Sequence, residues 1–125
     1  RSLISENPSQ RKYDPVEMLV TIVDRGLGEK VVGFNRAHDV KVNMICLGRG
    51  TASSRVLDLL GLGSTEKDVV LSFVPVSRVQ EALSNLGEKM EFQKPGRGIA
   101  FSIPVNSIAG ANVLHYFTTA SLEEE

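Results

Sequence analysis

Two short stretches of this chain pair glycine with arginine in the same way: Gly48-Arg49-Gly50 and Gly96-Arg97-Gly98. The chemistry such triplets suit is anion binding. Glycines let main-chain N–H groups approach a phosphate or carboxylate closely, and the arginine supplies a planar, two-pronged donor. Lys94, beside Pro95, adds a second cation to the later triplet. The residues expected to bind a nucleotide or another small anion are therefore Gly48, Arg49, Gly50, Lys94, Gly96, Arg97 and Gly98. The rival reading of the same residues is turn glycines with solvated arginines.

Other chemistries are poorly served. Gly26-Leu27-Gly28 stands between a strand pattern and a helix pattern, but Val31 occupies the place of the third glycine of a dinucleotide fingerprint. An ordinary strand–helix turn is expected there. No Walker A lysine motif is present. His38 and His115 lie far apart with no neighbouring cysteine or paired acids, whereas a metal site needs three or four converging ligands. His38 reads as a half-buried helix residue. Cys46 alternates with Met44 and reads as a buried apolar thiol. Ser53 and Ser54 lack a nucleophile-elbow setting and read as helix caps. Asp24, Asp58 and Asp68 are scattered one per element end, which suits capping and solubility rather than acid–base work. No catalytic residue, no metal site and no enzyme activity are expected.

The elements that must carry the two triplets repeat as well. Glu17 to Asp24 is an apolar run of strand length, Glu29 to about Asp39 a helix with Val31, Phe34 and His38 on one face, and Val42 to Cys46 a second strand. The pattern then recurs. Asp68 to Val74 is a strand stopped by Pro75. Ser77 caps a helix bearing Val79, Ala82, Leu83 and Leu86 and ending at Gly87. A loop from Lys89 to Gly98 leads to a last strand, Ile99 to Val105, whose Pro104 implies an end or an edge. Shifted by one repeat, Val31 falls on Val79 and the first triplet on the second.

Two β-α-β units in one small domain predict an α+β fold of the ferredoxin-like, split βαβ plan (βαββαβ). Two right-handed crossovers give a four-stranded antiparallel sheet with both helices on one face. Strands one and three, the most apolar, take the centre. The other sheet face is then bare and apolar, and self-association is the cheapest way to cover it. In this plan the two triplets can meet across a subunit boundary.

The chain of 125 residues is long enough for one domain, and 42% hydrophobic residues are enough for a core, filled by aliphatics because aromatics are only 6%. A net charge of −1 provides no global positive field for nucleic acid or an anionic membrane. The single cysteine excludes an internal disulfide. No apolar run approaches a membrane span, Arg1 to Ser5 does not read as a signal peptide, and a cytoplasmic location is expected. Residues 1–15 read as a polar arm, 16–106 as the folded domain and 107–125 as a tail. Within the domain, the insert 50–67 is longer than hairpin closure requires. Its middle, Ser53 to Leu60, reads as a short helix, and Val56, Leu57, Leu60 and Leu62 are its expected partner-binding residues.

Over roughly Glu17 to Val105, the repeated units and their two G-x-G turns resemble the PII nitrogen-regulatory signalling proteins and their PII-like relatives. The resemblance implies a trimer with nucleotide clefts between subunits. It implies ATP, ADP or AMP as a regulatory ligand, and a regulated partner protein, a transporter or an enzyme. It makes the insert after Gly48 and Gly50 the mobile target-docking loop, and Gly96 and Gly98 the phosphate-cradling loop. Thr51 and Ala52 stand where the family has Arg-Gln, the Gln helping to hold the metal that binds 2-oxoglutarate. Ile99 stands where the family has a phosphate-binding Lys, with Arg97 or Lys94 available instead. The insert lacks the modified tyrosine of some members. Two further readings share the plan: a ligand-free trimeric adaptor, and a metal-binding protein of the CutA type.

Overall fold

The computed structural model describes residues 15–51, 55–56 and 66–109. The element order is β1 (Val16–Asp24), α1 (Gly28–Ala37), β2 (Asn43–Arg49), β3 (Glu66–Pro75), α2 (Val76–Lys89) and β4 (Ile99–Pro104). The strands form one sheet in the order β2-β3-β1-β4, with every neighbouring pair antiparallel. Each β-α-β crossover steps over one strand. This is the expected α+β split βαβ fold, with β1 and β3 central and Pro104 closing the edge strand β4.

One sheet face carries both helices. Leu19, Val23, Val70 and Val74 point into it and meet Val31, Val32, Val79, Ala82, Leu86 and Met90. The alternation of side chains along a strand sends the intervening residues to the other face. There the register aligns Met18 with Phe73 and Ile103, Val20 with Leu71 and Phe101, and Ile22 with Val69 and Ile99. Met44 and Cys46 of β2 continue these rows against Leu71 and Val69. No helix of the described residues covers this apolar face.

Several element bounds differ from expectation. Helix α1 ends at Ala37 rather than Asp39, because Asp39 adopts a left-handed φ of 65°. Its buried face is Val31, Val32 and Asn35, while His38 has become the C-cap and meets Glu81 of α2 at 2.9 Å. Asn35 is tolerated inside because its amide donates to Asn43 Oδ1 and Ser72 Oγ. Helix α2 has Pro75, not Ser77, at its N-cap, and the first-turn N–H of Val76 is satisfied by the Pro15 carbonyl at 2.9 Å. The helix runs through Gly87 to Lys89, since burial of Leu86 and Met90 outweighs the ~1 kcal/mol helix cost of a glycine. Strand β2 reaches Arg49, three residues beyond Cys46, and β3 begins at Glu66 rather than Asp68. The inward residue of β2 is Ile45. Cys46 is therefore only half-buried, on the face away from the helices. Residues 1–14 of the arm expected over 1–15, residues 53–54 and 57–60 of the helix expected over 53–60, His115, and residues 110–125 of the tail expected over 107–125 lie outside the described residues.

Candidate functional site

The register puts the two Gly-Arg-Gly stretches at the same end of the sheet. Gly48 lies opposite Lys67, which in turn lies opposite Asp24, the last residue of β1. On the other edge Ile99 pairs with Ile22, so Gly98 sits beside Val23. The strands that carry the triplets are three strand spacings apart, roughly 14 Å. One chain therefore places both Gly-Arg-Gly stretches at one sheet end, and does not bring them into contact.

The first triplet is part of a strand rather than a loop. Gly48 and Arg49 belong to β2, opposite Lys67 and Glu66. Arg49 is exposed, and Gly50 follows the strand end. The second triplet is a tight turn. Gly98 has a φ of +129°, and a Cβ there would stand 2.7 Å from the Ile22 carbonyl oxygen and 3.0 Å from Phe92 and Val23. Glycine is required twice over, by conformation and by space. The turn is entered through Glu91, whose φ of 58° ends α2. The Glu91 carboxylate serves both nearby cations. Lys94 Nζ is 3.3 Å and Arg97 Nη2 3.7 Å from the same Oε1, and Arg97 Nε donates to the Met90 carbonyl at 3.5 Å. All three side chains are half-exposed, so this triad is held weakly and stays open to exchange with a stronger anion.

Between the two Gly-Arg-Gly stretches the sheet end is tied by groups not identified as site residues in the sequence. Arg25, in the β1–α1 turn, reaches both strands that flank the insert. Its Nη2 donates to the Gly48 carbonyl at 3.1 Å and its Nε to the Lys67 carbonyl at 3.2 Å. Its Nε also lies 3.3 Å from Asp68 Oδ1, and its Nη1 3.6 Å from Glu66 Oε1. The other oxygen of Asp68 accepts the N–H groups of Gly26 and Gly28 at 2.9 and 3.0 Å. That explains why Gly26-Leu27-Gly28 is an ordinary turn. The position a bound anion would take at the start of α1 is filled by the protein's own carboxylate. A Cβ on Gly28 would meet Asp68 Oδ2 at 2.9 Å, so the close approach needs glycine. The sequence signal for this knot was thin, a charged pair at a strand end followed by glycine.

Of the expected partner-binding residues, Val56 is exposed with helical backbone beside Arg55. Leu57, Leu60 and Leu62 lie outside the described residues. The insert itself is shorter than expected, because Glu66 and Lys67 belong to β3. Among the described residues no group of three or more His, Cys, Asp or Glu gathers as metal ligands, and no helix is long and apolar enough to cross a membrane.

No protein-family model and no curated protein matches the chain by sequence. Solved structures do. CPII, a nitrogen regulatory PII-like protein from Thiomonas intermedia K12 bound to ADP, AMP and bicarbonate, aligns at 19% identity and a TM-score of 0.56, over 73% of this chain and 90% of that one. Arabidopsis thaliana PII bound to citrate aligns at 14% identity and a TM-score of 0.54, over 76% of this chain and 79% of that one. CutA from Synechococcus elongatus PCC7942 aligns at 11% identity and a TM-score of 0.62, over 87% of this chain and 91% of that one. The fold is thus the one shared by PII-like proteins and CutA, and the resemblance drawn from the two triplets is borne out at the level of fold.

Proposed function

We propose that this chain is a divergent PII-like regulatory protein of the nitrogen-regulation type, acting as a trimer rather than as an enzyme. It binds an adenine nucleotide or small anion at subunit boundaries and modulates a partner protein, a transporter or an enzyme, through the loop after β2. The observation that carries this reading is the joint placement of the two Gly-Arg-Gly stretches. They sit at one end of the sheet on opposite edges, flanking an apolar face that no helix of the described residues covers. Copies packed by that face set the β4 edge of one against the β2 edge of the next, and two half-sites become one cleft. CPII, with ADP and AMP bound, has the same fold. A cytoplasmic setting, where adenine nucleotides are abundant, accords with the reading. Ligand contacts at the Gly48 strand end would bias two states of the adjoining loop.

A second reading is favoured by one observation: Lys94 and Arg97 are both already paired with Glu91. In that reading the same trimer is a ligand-free adaptor that docks a partner through Val56 and the leucines of the insert. Thermal melts in the presence of ATP, ADP, AMP, bicarbonate and citrate separate the two, because a ligand that binds only the folded state raises Tm. A rise of several degrees with an adenine nucleotide supports the regulator. Melts that do not move with any of the five sink it in favour of the adaptor.

A further inference from the structure

We infer that Arg25, outside both Gly-Arg-Gly stretches, is a positioning residue that clamps the two strands flanking the insert and sets the resting geometry of β2 at Gly48. One guanidinium touches the outgoing strand at the Gly48 carbonyl and the returning strand at the Lys67 carbonyl, Glu66 and Asp68. The Arg25 main chain adds a third tie, its N–H donating to the Glu66 carbonyl at 3.3 Å. The contacts differ in character. Asp68 is buried, with a side chain 8% exposed, and is fixed from behind by the N–H groups of Gly26 and Gly28. That half of the clamp is anchored in the buried end of the sheet. Glu66 is 68% exposed, and the Gly48 carbonyl lies at the sheet edge, so the outer half is open to competition.

Charge-assisted, forked hydrogen bonds are the strong kind, and only arginine supplies this number of donors in one plane. With Asp68 holding Nε, the terminal nitrogens are the only part of the guanidinium free to change partner. An anion arriving at Gly48-Arg49-Gly50 meets a cation already gripping the Gly48 carbonyl. Drawing those nitrogens away loosens the strand that leads into the insert. This route from ligand to loop rests on the function proposed above. The clamp itself rests on the contacts.

Hydrogen exchange on the ligand-free full chain tests it, with wild type, Arg25→Ala, Arg25→Lys and, as a distant ion-pair control, Arg78→Ala. In Arg25→Ala, amides of 47–51 and 66–68 are expected to exchange roughly tenfold faster or more, with α2 unchanged. Arg25→Lys, which keeps the charge but loses the fork, should fall between, and Arg78→Ala should leave both stretches as in wild type. If Arg25→Ala does not fold, Arg25→Lys decides. Unaltered exchange at both stretches, or loosening spread equally over α2, overturns the clamp. ADP calorimetry on wild type and Arg25→Lys tests the route separately. Absence of ADP binding by wild type defeats the proposed function and leaves the clamp to the exchange data. Equal ADP affinity in the two proteins, with loosened strands in the variant, overturns the positioning role.

Discussion

Lys67 and Asp24 face one another across β3 and β1, with Nζ 2.6 Å from Oδ1, and the pair is lopsided: the Lys67 side chain is 4% exposed and that of Asp24 49%. The lysine has given up its water and the aspartate has not. Removing the aspartate therefore strands a buried ammonium, which costs far more than an exposed ion pair contributes. Asp24→Ala should destabilise the fold by about 1–3 kcal/mol in urea denaturation. Lys67→Met in the same background should recover most of the loss, since a buried apolar chain needs no counter-ion. A double variant no more stable than Asp24→Ala alone would contradict this account.

Gly98 is the second place where stability is at stake. Alanine there must hold a φ of +129° with its Cβ against the Ile22 carbonyl. Backbone cannot yield as a flexible side chain can, so Gly98→Ala should cost about 2–4 kcal/mol. Gly87→Ala is the matched control. It lies inside α2 with nothing within 4 Å of its Cβ position, and should stabilise by about 0.5–1 kcal/mol. Equal effects of the same sign, read from Tm, would remove the special role of Gly98.

The fold was legible because it was written in local patterns that recur. The runs of β1 and β3 and the apolar faces of the two helices each declare themselves within a dozen residues, and repetition fixed their order. Asn35, Arg25 and Asp68 were not legible for a common reason. Each bonds to groups some 40 positions away in sequence: Asn35 to Ser72, Arg25 to Lys67 and Asp68. Strand ends erred for a related cause. β2 runs on to Arg49 because β3 offers Glu66 as a register partner, and no property of Gly48 or Arg49 alone announces that. The stretch from Lys89 to Gly98 was read as a loop, but the role of Glu91 in holding Lys94 and Arg97 was not foreseen.

The sheet face that no helix of the described residues covers predicts association. Phe101 and Ile103 on β4 and Met44 on β2 are more than a third exposed although they belong to strands, and the central rows between them are wholly apolar. A charge placed in those rows cannot be buried against a second copy. Phe101→Asp should shift the sedimentation-equilibrium mass from that of a trimer to that of a monomer while leaving far-ultraviolet circular dichroism unchanged. Wild type that sediments as a monomer at tens of micromolar removes the subunit boundary on which the proposed cleft depends.

The arginines of the two Gly-Arg-Gly stretches make the sharpest functional prediction, because their present partners differ. Arg49 is exposed opposite Glu66, whereas Arg97 is tethered to Glu91 and the Met90 carbonyl. An incoming phosphate must displace Glu91 to use Arg97, but needs no such exchange at Arg49. Arg49→Ala and Arg97→Ala should each weaken ADP binding in calorimetry by roughly tenfold, the loss expected for one charge-assisted contact. Glu91→Gln should do the opposite and tighten it several-fold, because the competing carboxylate charge is gone and both Lys94 and Arg97 are released. Tightening in Glu91→Gln that disappears in Glu91→Gln/Arg97→Ala assigns the effect to Arg97. If both alanine variants bind ADP as wild type does, the Gly-Arg-Gly arginines are solvated turn residues and the anion site lies elsewhere.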